Sequence, residues 1–175
     1  LQRPGWLYCH VFGAVTSLAL GPFQLWEAFR KEHPALHKKM GYLYTITVFI
    51  GGTGSIGLIA TSKTGGFAGF GFITLLICWW STLIMGIRAA TAKDYFNHHL
   101  WMVRNYTYTF SAVPFRFLPG IFNAFGTDPE LAYPLGAWTA IIGTFIWSEY
   151  FVAMILKSKS KSLAEADANA QASKA

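Results

Sequence analysis

Five stretches of this chain are too long and too apolar for a soluble core: Trp6–Phe29, Tyr42–Ser62, Gly66–Ala90, Trp101–Phe125 and Pro134–Leu156. Each is long enough to cross bilayer hydrocarbon, which takes a helix of ~20 residues. Hydrocarbon offers no partner to a bare backbone group, so a spanning segment must satisfy its own N–H and C=O groups, as an α-helix does. Composition agrees, since 13% of the residues are charged against roughly a quarter in a soluble domain. The expected fold is all-α. Residues 1–156 form a polytopic membrane protein, a bundle of five transmembrane helices in the lipid bilayer, and residues 157–175 a flexible, basic, alanine-rich tail. The connections are too short to hold a second domain.

Cations in short loops stay on the side of synthesis, and here they collect on one side. Arg30, Lys31, Lys38, Lys39, Arg88, Lys93, Lys157, Lys159 and Lys161 fall there, whereas the other side has Arg3 and Lys63 against Asp128 and Glu130. The expectation is an N-terminus outside and a C-terminus inside, in a bacterial inner membrane or an organellar membrane. Trp6 and Trp138 near outer ends, with Trp26, Trp101 and Trp147 near inner ends, suit interfacial aromatic belts. The net charge of +6 is then a topology signal, and no nucleic-acid partner is implied. Cys9 and Cys78 lie at different depths, so free thiols are expected. No cleavable signal sequence is visible in "LQRPGW".

Residues His37 to Thr47, "HKKMGYLYTIT", and His99 to Thr109, "HLWMVRNYTYT", align without a gap as H-x-x-M-x-x-x-Y-T-x-T. Each copy starts an even-numbered span and follows a helix ending in an arginine, Arg30 or Arg88. The simplest account is a duplicated helical hairpin plus one added helix, related by an axis along the membrane normal. Equivalent residues would then share one depth, so His37 and His98 or His99 form a candidate metal site at the inner ends of helices two and four. Inward-facing side chains on neighbouring helices are how bundles hold cofactors, and haem iron takes histidine axial ligands. Tyr44, Arg104 and Tyr106 are candidates to bind the cofactor's polar groups. The plainer alternative is that these histidines are interfacial groups. His33 precedes Pro34 and belongs to a helix boundary, and His98 and His99 point about 100° apart. His10 sits near the outer end of helix one and cannot share the inner site.

Ionisable and polar groups inside spans are expensive and mark partners or cavities. His10, Gln24, Glu27, Arg116 and Glu149 are the remaining intramembrane candidates. Arg104 lies roughly 9 Å beyond His98 along a helix, and Glu149 roughly 12 Å from Lys157, so an Arg104–Glu149 ion pair is expected. Arg116 stands between Pro114 and Pro119, where it would satisfy carbonyls freed by the prolines or face an anionic ligand. Pro22 predicts a kink near Gly21. Gly51, Gly54 and Gly57, and Gly65 with Gly69, predict close helix packing.

At these same residues the chain resembles a family of small integral-membrane proteins catalogued as a domain of unknown function, number 2306. The resemblance rests on "GPFQLWEAFRKEHPALHKKMGYLY" and "HHLWMVRNYTYTFSAVPFR". The family's pattern is Gly-Pro-x-Gln, then His-Arg before Gly and Tyr, then His-Arg-x-Trp-Met-x-Arg. Gly21, Pro22 and Gln24 match the first part; His37, Gly41 and Tyr44 the second, with Lys38 in place of arginine; His98, Trp101, Met102 and Arg104 the third, with His99 in place of arginine. The family pattern singles out His98 and the internal repeat His99, and both stand. The resemblance implies a multi-spanning fold with a histidine-and-arginine inner rim, and no established reaction.

Two functional classes follow. One is a redox carrier holding a single b-type haem, or another metal, between helices two and four. The other is a non-catalytic structural or assembly subunit buried among other membrane protein subunits, favoured by small size, abundant aromatics and glycine seams. The paired histidines favour the first. A transporter ranks third, and no nucleophile–base arrangement for a hydrolase is visible.

Overall fold

Prolines open three of the helices. The computed structural model describes residues 4–61 and 65–172, which leaves Arg3, Ser62 and Lys63 outside the described residues. In chain order the helices are α1 (Pro4–Leu25), α2 (Glu27–Glu32), α3 (Pro34–Thr61), α4 (Gly65–Thr91), α5 (Tyr95–Phe110), α6 (Ala112–Ala124) and α7 (Pro129–Ala172). Pro4, Pro34 and Pro129 occupy first positions, where a missing N–H costs nothing and the fixed φ is already helical. No strand occurs among the described residues. Four helices are long and apolar enough to cross a membrane: Pro4–Leu25, Pro34–Thr61, Gly66–Thr91 and Pro129–Ala172.

The fourth expected span, Trp101–Phe125, is instead two helices that meet at Ser111. Pro114 has no N–H for the Phe110 carbonyl, and the Ser111 hydroxyl turns back to donate to the Tyr108 carbonyl at 2.6 Å. The five expected spans are therefore not five unbroken helices. Together α5 and α6 run antiparallel to α7: Arg104 of α5 meets Glu149, and Pro119 of α6 lies against Gly136.

Pro22, near which a kink is expected, lies inside α1. α1 passes Pro22 without a break, and the interruption comes at Trp26, whose ψ is 111°. The physical reason is local. Pro22 leaves the Leu18 carbonyl without its helical donor, and the Tyr106 hydroxyl supplies one at 3.2 Å. The side-chain-free Gly21 makes room for the Tyr106 ring, which a methyl there would overlap.

The glycine seam on α3 faces α1. A methyl on Gly13 would collide with the Gly51 backbone, on Gly54 with the His10 backbone, and on Gly57 with the Trp6 ring. In the same way, α4 meets α5 where Gly86 lies under Met102. The hairpins are thus α1–α3 and α4–α5, the pairing expected of a duplication, with α7 packed against α4, α5 and α6. Gly69 does not join a seam, because a methyl there would meet only Ile59 Cγ2 at 4.0 Å. Cys9 and Cys78 are free.

α7 continues as a helix to Ala172, through most of the segment expected to be a flexible tail. Its described residues beyond Leu156 are exposed, so packing does not hold them helical. Local propensity does, through alanine, lysine and glutamate and the Lys161–Glu165 pair at 3.8 Å one turn apart. Lys159 Nζ lies 3.4 Å from the centroid of the Phe96 ring, which ties the start of this extension to α5.

Candidate functional site

The middle of the bundle is a closed polar network. The buried Tyr44 hydroxyl donates to Asn105 Oδ1 at 2.8 Å and lies 3.0 Å from Thr109 Oγ1. Trp79 Nε1 donates to Thr109 Oγ1 at 2.8 Å. Asn105 Nδ2 donates to the Trp79 carbonyl at 2.6 Å and to Thr82 Oγ1 at 3.0 Å. Each buried polar atom has a partner, so the network specifies how α3, α4 and α5 assemble. Tyr44 and Tyr106, singled out for a cofactor, are spent on Asn105 with Thr109 and on the Leu18 carbonyl. Arg104, the third such residue, pairs bidentately with Glu149 at 2.7 and 2.9 Å, below the Trp101 ring 4.9 Å away.

At the end of the bundle where α3 and α5 begin, here the C-terminal face, the histidines gather. His98 Nδ1 lies 2.8 Å from the Gly86 carbonyl of α4, an atom that only accepts, so this nitrogen carries the proton. His37 lies close enough to His98 and Arg30 to feel their charge, and His99 feels that of Arg30. His98 faces α4, whereas His99 interacts with Glu27 and Arg30 around α2. Buried polar atoms here without a partner among the described residues are His37 Nδ1 and Gln24 Nε2. Glu27 is exposed and paired with Lys31 at 2.7 Å, and the exposed His33 caps α2 with its ring against Phe29. No group of three or more histidine, cysteine or acidic side chains arranged to hold a metal ion occurs among the described residues.

At the opposite, N-terminal face lies a cavity of about 270 Å³. Leu7, Leu58, Phe72, Leu75, Phe115 and Ile141 form much of its apolar wall, with Trp79 and Tyr108 on the side toward the network. Its polar lining includes His10, Ser55, Ser111, Arg116 and Tyr133. Gly69 borders it, which explains why no helix closes on that glycine. His10 Nδ1 lies 3.2 Å from the Gly51 carbonyl and 2.9 Å from Ser55 Oγ, which itself donates to Gly51 at 3.1 Å. Nδ1 must therefore carry the proton, and Nε2 is left without a hydrogen bond among the described residues. Arg116 is exposed and makes no hydrogen bond to a proline-freed carbonyl among the described residues. Phe72, Phe115 and Tyr133 pack edge to face beside it, with centroids 5.3 to 6.3 Å apart.

A family model described as a predicted membrane protein (DUF2306) matches residues 7–152, from the first turn of α1 to Val152 of α7. The chain belongs to this family. No curated protein and no solved structure matches it. The matched span of this DUF2306 domain holds the whole network, the histidine cluster and the cavity. Sequence reasoning singled out His10 and Arg116 separately but not their shared cavity, and it missed Ser55, Asn105, Thr109 and Tyr133. Thr109 and its neighbour Tyr108 stand inside the repeated Y-T-x-T motif, which was the available signal.

Proposed function

We propose that this DUF2306 protein is an integral-membrane binding protein that holds one small amphipathic molecule in the N-terminal cavity. The observation that carries this is the cavity itself: about 270 Å³, close to the ~300 Å³ lower end of small-molecule pockets, largely apolar with a few convergent polar groups. In this reading α5 and α6 together make the fifth crossing, and the cations on the C-terminal face put that face inside, with the cavity in the outer half. The test is occlusion. Gly69→Phe projects a ring from a position with open space, and the protein in nanodiscs is compared with it by mass spectrometry of extracted small molecules. A molecule that co-purifies with the parent and is lost from the variant supports the reading. The same small molecules at the same occupancy in both would refute it.

A second reading, a single b-type haem between α3 and α5, is supported by the state of the two histidines. His98 is oriented through Nδ1 on the Gly86 carbonyl, as second-shell contacts orient metal ligands, and His37 has a buried nitrogen without a partner. The backbones of α3 and α5 lie closest to α1 and α4, and the two helices reach each other through the Tyr44 hydroxyl, on Asn105 and Thr109. A reduced-minus-oxidised visible spectrum of haem-replete protein, with His37→Ala and His98→Ala, decides it. A b-type band abolished by both supports the site, and no band in the parent removes it.

A further inference from the structure

Resting on the cavity reading, we infer that the occupant is an acidic amphiphile, its oxyanion head held by Arg116 and Tyr133 beside His10 and its apolar body along Phe72, Phe115 and Leu75. The first argument is charge. Among the described residues the cavity lining contains one guanidinium, one imidazole and no carboxylate. Arg116 has no hydrogen bond or ion pair among the described residues, whereas Arg104, the other arginine of this crossing, is matched by Glu149. A guanidinium cannot shed its proton, and it stands eight residues, roughly 12 Å at 1.5 Å per residue, before the end of α6. An unmatched cation at that depth is expensive unless an anion reaches it.

The second argument is donor geometry. The Tyr133 hydroxyl has no hydrogen-bond partner among the described residues, and its ring is fixed by Phe72 and Phe115. Its O–H is a held donor on the same wall as Arg116. His10 is fixed at Nδ1 by Gly51 and Ser55, so Nε2 is the atom left to meet a ligand, accepting from a protonated acid or donating to an oxyanion once protonated. The third argument is the wall. Three mutually packed rings and several leucines offer an alkyl or aromatic body a dry surface, which a bare inorganic anion would not use. Carboxylate and phosphate-monoester heads share this chemistry, and the guanidinium fork suits either.

The experiment uses the full chain in nanodiscs of phosphatidylcholine alone, titrated by calorimetry with octanoate, octyl phosphate, octanol and inorganic phosphate. One charge-assisted head-group interaction is worth about tenfold or more in affinity. At least one acid should therefore bind about tenfold tighter than octanol, and the better acid names the head group. Arg116→Gln should remove that preference while octanol still binds, which shows that the site is folded, and Arg116→Lys should keep part of it. Equal binding of octanol and both acids, or a preference that survives Arg116→Gln, overturns the inference and leaves the cavity reading in place. Inorganic phosphate binding as tightly as octyl phosphate also overturns it, as a bare anion site. Octanol and both acids binding Gly69→Phe as they bind the parent would sink the cavity reading as well.

Discussion

Pro22 and Tyr106 make a test of how a proline is accommodated in a membrane helix. Pro22 cannot donate to the Leu18 carbonyl, and the Tyr106 hydroxyl reaches that carbonyl at 3.2 Å from α5. Tyr106→Phe keeps the ring in its place against Gly21 and removes only the donor. Side-chain hydrogen bonds inside membrane proteins average about 0.6 kcal/mol and reach about 1.7, and stranding an acceptor costs about 1–3 kcal/mol, so about 1 kcal/mol is expected. Pro22→Ala restores an N–H whose helical partner is the same carbonyl. In that background Tyr106→Phe should cost about zero, within the ~0.3–0.5 kcal/mol additivity error of such comparisons. Equilibrium unfolding in mixed micelles, with detergent fraction as denaturant and tryptophan fluorescence as readout, gives both numbers. An equal cost in the two backgrounds would refute the reasoning, because the hydroxyl would then be stabilising something other than the proline's orphan carbonyl.

Other outcomes follow from the same contacts. Asn105→Leu breaks three bonds of the central network, so about 2 kcal/mol is expected at roughly 0.6 each, with Tyr44→Phe strongly non-additive to it in the same unfolding assay. Gly54→Ala puts a methyl into the His10 backbone and should cost about 1–3 kcal/mol by overpacking, whereas Gly69→Ala, facing open space, should stay within about 0.5. Hydrogen bonds from the Asn97 side chain and amide hold the Asp94 carboxyl below its ordinary value. Its capping contribution is therefore full above the unfolded Asp value of about 3.9 and is lost as pH falls through the folded one. Hydrogen exchange in the first turn of α5 should quicken in that acid window for the parent and not for Asp94→Asn.

Features set by length, charge and local spacing were legible in the sequence. The apolar runs, the α1–α3 and α4–α5 pairing, the seam through Gly51, Gly54 and Gly57, and the Arg104–Glu149 pair all follow from helix geometry applied to the chain. What escaped depended on contacts across helices. A Gly-Pro pair spells a missing donor, and that Tyr106, far along the chain, supplies it is not written there. A G-x-x-x-G spells a seam until Gly69 proves to border empty space. Pro114 and Ser111 lie inside an apolar run that hydropathy reads as one span, and only the backbone hydrogen-bond accounting divides it. The cavity is harder still, because a void is what several helices fail to fill, and no single segment encodes it. His10 and Arg116 were conspicuous separately as costly groups in a span, but their common site depends on where α6 turns.

The repeated motif sets the two hairpins in a common register that bears on where the void lies. In the gapless register that aligns His37 with His99, Pro114 falls on Gly52, Arg116 on Gly54 and Pro119 on Gly57. In the first hairpin Gly54 and Gly57 let α1 close on α3, against His10 and Trp6. In the second, the equivalent positions carry a guanidinium and a proline, the helix breaks at Ser111 ahead of Pro114, and α6 packs on Gly136 of α7 through Pro119. The seam that seals one hairpin is thus replaced in the other by groups that cannot seal, and the cavity opens between them with the seam's own His10 on one wall and Arg116 on another. The two hairpins are alike in pairing each descending helix with the one that follows it, and they differ at the N-terminal face, where glycines seal the first. The place where the two hairpins differ is where the cavity lies, and there the proposed ligand has room to bind.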